Sequence, residues 1–311
     1  AKKVLGRRRA NPGLLMTNQH AFVEYKPFGA GGVIGPWNYP VFTPMGSMAY
    51  ALAAGNTVVF KPSEFSPTIG EFLVETFSEV VHGRSALVLV TGFGETGAAL
   101  VKAGVNKVAF TGSTATGKKI MAACAENLTP LVVEAGGKDS MIVDEDADLA
   151  EAADAALWCS MSNAGQTCIG TERVYVHEDV FDGFMTELLA KARQVRPGYD
   201  DGGLYGPATM PSQLKVIQSH IDDAIARGGN VVLGGADAVG DRYVQPTIIT
   251  DVPEDSLAIT EETFGPTLVV NRVSDMDEAV RLTNATRYGL AGSVFGNKNA
   301  LDIASQVRSG M

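Results

Sequence analysis

The 311-residue chain has few cysteines, few basic residues and no long apolar run. Its three cysteines, Cys124, Cys159 and Cys168, are an odd number without C-x-x-C spacing, and its four histidines (His20, His82, His177, His220) do not cluster. A disulfide framework or a structural metal site is therefore not expected, and a reduced, cytoplasmic setting is. Lysine and arginine number 25 against 35 acidic residues, a net charge of -10. Nucleic acid and anionic membrane surfaces, which require basic patches, are not expected partners. The one basic run, Lys2-Lys3 with Arg7-Arg8-Arg9, reads as a solvated helix end. No apolar stretch approaches the ~20 residues of a bilayer span, and no secretory leader pattern is visible. The first residue is not Met, and the chain stops at Arg308-Ser309-Gly310-Met311, so a piece of a longer polypeptide is expected, without part of the N-terminal and C-terminal segments.

Glycine, by contrast, is abundant at 35 residues and has no collagen-like period, which suits an α/β protein with many strand-to-helix turns. Residues 9–27 read as a hairpin arm, alternating at His20-Ala21-Phe22-Val23-Glu24-Tyr25-Lys26. From Gly32 strands alternate with helices. The strands read as one ending at Val33-Ile34-Gly35, then Thr57–Phe60, Ala86–Val90, Lys107–Phe110 and Leu131–Glu134. The helices read as Thr43–Ala54, Ile69–His82, Gly97–Lys102 and a run from Gly112 to Asn127. This rhythm predicts a parallel sheet covered on both faces, with ligands outside the carboxyl ends of the strands. A second region from Lys138 predicts helices at 149–161, 181–193, 212–227 and 276–283, and strands at 173–177, 230–233, 247–249, 267–272 and 293–295. The expected domains are an oligomerisation hairpin (9–27), a Rossmann-like nucleotide domain (28–137) and an α/β catalytic domain (138–311).

Five polar segments fall at strand or helix ends, which points to one shared cleft. Gly112 to Gly117 lies between a strand and a helix, where free N–H groups and the helix dipole attract anions. With Lys118 it nearly spells G-x-x-x-x-G-K-[ST], but Lys119 stands where a hydroxyl must hold magnesium, which disfavours a nucleotidase; an ordinary tight turn is the plainer alternative. Lys61 ends a strand and Glu64 follows three residues later, a pair that can reach ribose hydroxyls or simply form a surface ion pair. Asn38, in the rigid loop Pro36-Trp37-Asn38-Tyr39-Pro40, can donate to an oxyanion or close a turn. Glu134, before Gly136-Gly137, can act as a general base or pair with a cation. Cys168 sits among small residues after the helix ending at Met161, in Gly165-Gln166-Thr167-Cys168-Ile169-Gly170, with room for the thiol to meet a substrate. Cys124 and Cys159 fit inert apolar helix faces.

In order, these segments and two later ones spell P-W-N-Y-P, K-P-S-E, F-T-G-S-T-x-x-G, E-x-G-G-K, G-Q-T-C, E-E-T-F-G-P (Glu261 to Pro266) and N-x-x-x-Y-G-L-A-G (Asn284 to Gly292). With these motifs the chain resembles the aldehyde dehydrogenase superfamily from Gly35 to Gly292. The resemblance implies an NAD(P)+-dependent, non-acylating enzyme that oxidises an aldehyde to the acid. Cys168 would be the nucleophile, Asn38 with the Cys168 N–H the oxyanion hole, and Glu134 the base for the hydrolytic water. Lys61 and Glu64 would hold the adenosine ribose, Gly112 and Ser113 the pyrophosphate, and Glu262 and Phe264 the nicotinamide side. Ile34, Pro36, Trp37, Gly92, Phe110 and Gly136 complete the expected cofactor contacts, and Lys138 would help shape the site. Tyr39 and Met45 are expected along the substrate path, and Arg173 is a candidate ligand for a substrate carboxylate. A nucleophilic thiol also leads one to expect a lowered Cys168 pKa. Ala135 stands where the family has leucine, and Gly92 to Gly97 is one residue shorter than in many members. A homodimer or homotetramer is implied. A coenzyme A-acylating enzyme and a catalytically silent nucleotide-binding protein remain the alternatives.

Overall fold

The structure, a computed structural model, describes residues 2–81, 85–200 and 202–311. The chain divides into two compact units, Ala1–Ala135 and Gly136–Met311.

The first unit opens with a short helix α1 (Lys2–Leu5), then pairs β1 (Arg8–Ala10) antiparallel with β2 (Ala21–Val23), Arg8 opposite Val23. The basic run is thus shared between a helix and a strand rather than lying on one helix end. There follow β3 (Ala30–Ile34), α2 (Phe42–Ala53), β4 (Thr57–Lys61), α3 (Pro67–Val80), β5 (Leu87–Leu89), α4 (Gly94–Lys102), β6 (Lys107–Gly112), α5 (Thr114–Glu126) and β7 (Leu131–Ala135). The end predicted for α3 at His82 lies outside the described residues. All five strands β3 to β7 are parallel, in the order β5-β4-β3-β6-β7. Chain order therefore reverses between β3 and β6, which makes the carboxyl ends of those two strands the topological switch point. Neighbouring residues of a strand face opposite ways, so Val33 packs with Met48 of α2 and Leu73 and Phe77 of α3, while Ile34 packs with Leu100 of α4 and Ile120 of α5. Pro67 occupies the first turn of α3, where a missing N–H costs nothing.

The second unit comprises β8 (Asp139–Val143), α6 (Leu149–Met161), β9 (Thr171–His177), α7 (Phe181–Ala192), α8 (Pro211–Ala226), β10 (Asn230–Leu233), β11 (Thr247–Thr250), α9 (Leu257–Thr260), β12 (Thr267–Val273), α10 (Met276–Thr283), β13 (Gly292–Phe295) and α11 (Ala300–Ala304). Its sheet runs β10-β11-β12-β9-β8-β13, parallel except for the β10–β11 pair. α6 covers one face through Ala152 and Ala156 together with α7 through Phe184 and Leu188, and α8 to α11 cover the other. Asp148 caps α6 by accepting from the N–H groups of Ala150 and Glu151 at 3.1 Å each, and Asp275 caps α10 from Glu278 at 2.8 Å.

The α/β class with parallel sheets agrees with the sequence reading. Three elements went unpredicted: β8, α9 and α11. β8 is buried at every residue, so it lacks the alternation that marks a half-exposed strand, and it opens on two polar residues, Asp139 and Ser140. α9 and α11 have four and five residues, too short for a helical period to show.

Candidate functional site

Each unit carries its own share of the expected residues. In the first, the Gly35–Pro40 segment leaves the end of β3 and leads into α2, with Ile34 buried and Pro36, Trp37, Asn38 and Tyr39 half-buried. Met45 is exposed on α2. Lys61 closes β4 with its stem buried beside Gly97. Its ammonium donates to the Pro62 carbonyl at 2.7 Å and lies 3.8 Å from the half-exposed Glu64 carboxylate. Burial pulls the Lys61 pKa below its ordinary value against the raising effect of Glu64. At the end of β6 the Gly112–Gly117 segment is a strand-to-helix junction. Ser113 is the cap of α5, its hydroxyl accepting from the Thr116 N–H at 3.3 Å. The Phe110 ring lies against Gly112, and Gly92 has φ 143. Glu134 is the penultimate residue of β7, exposed within this unit.

In the second unit the thiol is presented by an unusual backbone. α6 stops at Met161, and Asn163, Ala164 and Gly165 follow with φ of 53, 59 and 69. Three consecutive residues in the left-handed region are unfavourable unless their surroundings impose the conformation. A Cβ on Gly165 would fall 2.0 Å from the Gly265 carbonyl oxygen, so only glycine lets the two backbones meet. Buried Gln166 then locks the loop, donating to Asn163 O at 2.9 Å and accepting from the Thr209 N–H at 2.8 Å. Cys168 sits in the turn closed by Gly170 N–H to Thr167 O at 3.0 Å, and is half-buried.

The expected lowering of the Cys168 pKa is not found. Burial pushes the thiol up, Glu262 and Asp139 add to the rise, and the N–H groups of Cys168 and Ile169 oppose it without prevailing. The loop dipole is present, but desolvation of a thiolate outweighs it. Around the thiol, Glu262 Oε1 accepts from the Gly137 N–H at 3.1 Å, and a Cβ on Gly136 would fall 2.3 Å from the same carboxylate. Gly136 and Glu262 are therefore neighbours. Burial, with Glu172 second, raises the Glu262 pKa to about 7. Phe264 follows two residues later with φ 54, an uncommon backbone for an aromatic residue.

Arg173 cannot serve a substrate carboxylate. It is 2% exposed, and its guanidinium donates to Lys138 O at 2.6 and 3.1 Å, to Leu282 O at 3.3 Å and to Thr283 O at 3.3 Å. It ties β9 to β8 and to the end of α10. Lys138 is likewise buried, paired with Glu172 and donating to Thr263 Oγ1 at 3.1 Å.

Sequence reasoning passed over Asp139, Glu172, Thr263 and His220. Asp139 lies against Gly137, whose Cβ would meet its carboxyl oxygen at 2.6 Å and the Cys168 carbonyl at 2.7 Å. A signal was available for Glu172. It precedes Arg173 at the head of the strand Thr171–His177, and two charged residues in a buried strand require partners. Among the described residues, Glu145, His177 and Asp179 also bring ligand-type atoms within 4.8 Å of one another, with both carboxylates exposed. No helix among the described residues is long and apolar enough to cross a membrane.

A family model described as the aldehyde dehydrogenase family matches residues 2–311. The chain is similar to a mitochondrial aldehyde dehydrogenase of Leishmania tarentolae, 42% identical over 279 residues, which are 88% of this chain and 56% of the relative. It is 35% identical to an NADP(+) D-glyceraldehyde dehydrogenase of Picrophilus torridus over 288 residues, 90% of this chain and 58% of that protein. A solved NAD-dependent aldehyde dehydrogenase from Sinorhizobium meliloti superposes with a TM-score of 0.93 at 32% identity, covering 99% of this chain and 62% of that one. The chain spans about half the length of the curated relatives it matches.

Proposed function

The chain belongs to the aldehyde dehydrogenase family, and from that premise we propose that the protein oxidises an aldehyde to its carboxylic acid with a nicotinamide dinucleotide, without transfer to coenzyme A. The observation that carries the reading is Cys168: a thiol on a conformationally locked turn, with its own N–H and that of Ile169 directed at the sulfur and the Glu262 carboxylate close enough to raise its pKa.

The residues present suit the dinucleotide. The five-stranded sheet reverses order between β3 and β6, and both strands end in motif segments. The N-terminus of α5, capped by Ser113, offers N–H groups and a helix dipole to a pyrophosphate. Ile34, Pro36, Trp37, Gly92 and Phe110 are assigned to the same ligand. Lys61 and Glu64 are assigned to the ribose, and the Glu64 carboxylate disfavours a 2′-phosphate, which selects NAD+ over NADP+. Bound nicotinamide accepts the hydride.

The protein's own part follows from elementary chemistry. Glu134 is assigned to take the Cys168 thiol proton and pass it to solvent; the thiolate sulfur adds to the carbonyl carbon, and the π pair moves to the oxygen, which takes up negative charge. The Cys168 N–H and the Asn38 amide are assigned as donors to that oxygen, each donor of this kind being worth ~3 kcal/mol. Collapse of the tetrahedral adduct with loss of hydride leaves a thioester on Cys168. Glu134 takes a proton from water, which attacks the thioester and releases acid and thiol. A water base at Glu134 favours hydrolysis over acylation of coenzyme A. The β1–β2 hairpin is assigned to assembly as a homodimer or homotetramer, checked by light scattering. The three free thiols fit a reducing cytoplasmic compartment.

The test is absorbance of reduced nicotinamide with NAD+ and a panel of aldehydes, for the intact protein and Cys168→Ala. Aldehyde-dependent reduction that vanishes in the variant is expected. Reduction only in the presence of coenzyme A, or dinucleotide binding without turnover, would overturn the assignment.

A further inference from the structure

Behind the turn that carries Glu262 and Phe264 lies a cluster of polar side chains buried to nine-tenths or more: Lys138, Glu172, Thr263, His220 and Gln213. Its centre is the Glu172 carboxylate. Both of its oxygens accept from the Thr263 N–H, at 2.8 and 3.1 Å, and one accepts from the Phe264 N–H at 2.9 Å. Lys138 Nζ pairs with the same carboxylate. Lys138 also donates to Thr263 Oγ1, which meets His220 Nδ1 at 3.0 Å, while Gln213 Nε2 donates to Thr263 O at 2.7 Å. Thr263 is therefore held at its N–H, its carbonyl and its hydroxyl. The residues on either side of it are the two assigned to the nicotinamide.

A core strand gains nothing from a carboxylate as such. Removing an ion pair from water costs more than its attraction returns unless every lone pair is used, and an apolar pair of similar volume fills such a space equally well. The bonds of Glu172 go to the turn rather than to the strands beside it. That turn needs an external hold, because Phe264 sits at φ 54 and has no local preference for that backbone. A hydrogen bond to a charged acceptor is about twice as strong as a neutral one, and here one carboxylate receives two successive N–H groups.

We propose that Glu172 is a positioning residue for the nicotinamide end of the dinucleotide: held by Lys138, its carboxylate fixes the Glu262–Phe264 turn through the N–H groups of Thr263 and Phe264. The inference rests on the dinucleotide reading given above. It assigns Glu172 no contact with substrate or cofactor.

The test compares the intact protein with two double variants in which the buried cation has been removed, Lys138→Met/Glu172→Leu and Lys138→Met/Glu172→Gln. Both are neutral at the cluster, and only glutamine retains an acceptor for the turn. Amide hydrogen exchange across residues 257–270 is read without any ligand. Binding of NADH is read by fluorescence, and turnover is compared for an aldehyde and its C1-deuterated form. The leucine variant should exchange Thr263 and Phe264 about ten- to a hundredfold faster, the loss expected for hydrogen bonds to a charged acceptor. It should bind NADH about tenfold more weakly and show an isotope effect larger than the parent's. The glutamine variant should recover most of each. Equal behaviour of the two variants, whether both match the parent or both lose protection alike, overturns the proposal, because the acceptor would then not matter. A parent protein that binds no NADH overturns the dinucleotide reading and the cofactor clause with it. Exchange indifferent to residue 172 in a protein that does bind NADH overturns the role of Glu172 alone.

Discussion

Replacing Asp139 by asparagine should stabilise the second unit, and only above about pH 5. Asp139 is 5% exposed. One carboxyl oxygen accepts from the Ala291 N–H at 3.0 Å; the other is buried without a hydrogen-bond partner among the described residues. Burial raises its pKa from 3.8 to about 7, against the Ala291 bond and with Glu172 adding to the rise. The folded state therefore holds the proton more tightly than the unfolded chain. The stability this supplies is fully present below the unfolded value near pH 4 and is lost as pH rises towards about 7. The gap between 3.8 and about 7, at about 1.4 kcal/mol per pH unit, sets a ceiling of about 4 kcal/mol on that loss. The asparagine side chain keeps the shape and the acceptor for Ala291 and never ionises. Its buried NH2 replaces a buried OH, so the two proteins should match near pH 4. By pH 8 the variant should be ahead by roughly 2–4 kcal/mol, or on the order of 5–15 °C in Tm for a unit of this size. Thermal melts from pH 4 to 8.5 decide it. An Asp139→Asn protein that melts at or below the parent at pH 8, or with an advantage independent of pH, would refute the reasoning, since ionised Asp139 would then have a compensating partner.

Two further outcomes follow from the Cys168 loop. Gly165→Ala places a methyl 2.0 Å from the Gly265 carbonyl on a backbone of φ 69, so it should cost at least about 3 kcal/mol, roughly the sum of overpacking and left-handed strain; a denaturation midpoint equal to the parent's would show that the two loops can separate freely. Because burial holds the Cys168 thiol above its ordinary pKa, its alkylation by iodoacetamide, followed by mass spectrometry of the Cys168 peptide, should still be accelerating at about pH 9, whereas a plateau near neutrality would mark a preformed thiolate.

Much of the fold was legible because its signals are local. Strand ends, capping residues and the β/α rhythm announced β4 to β7 and α6 to within about two residues and the end of β3 but not its start, and Gly112–Gly117 proved to be the strand-to-helix junction its spacing implied. β8 was not legible, because a strand buried on both faces carries no periodic pattern. The polarity of the site was legible only where a motif carried it. Cys168 could be singled out from its neighbours in sequence, and Glu262 and Gly136 only through the resemblance of their motifs. Glu172 and Asp139 owe their importance to partners far along the chain, Thr263 and Ala291, which no local window contains. The Cys168 pKa was misread for the same reason. The glycines and small side chains around it suggest an open loop, but desolvation depends on what folds over that loop.

The backbone meeting of Gly165 with Gly265 reaches further. A Cβ on Gly265 would in turn fall 2.5 Å from the Ile217 side chain of α8, so the Cys168 loop, the Glu262–Phe264 turn and the helix core are stacked without a spacer. The thiol's bearing is then an inherited quantity, set by the thickness of that stack rather than by anything adjoining the sulfur. A bulkier residue at position 217, well away from any chemistry, would tilt the turn and turn the loop with it. Substitutions at this position should therefore register as a stability loss of roughly 1–3 kcal/mol from overpacking joined to a misaimed cysteine, a class of defect that inspection of the reacting groups alone would never locate.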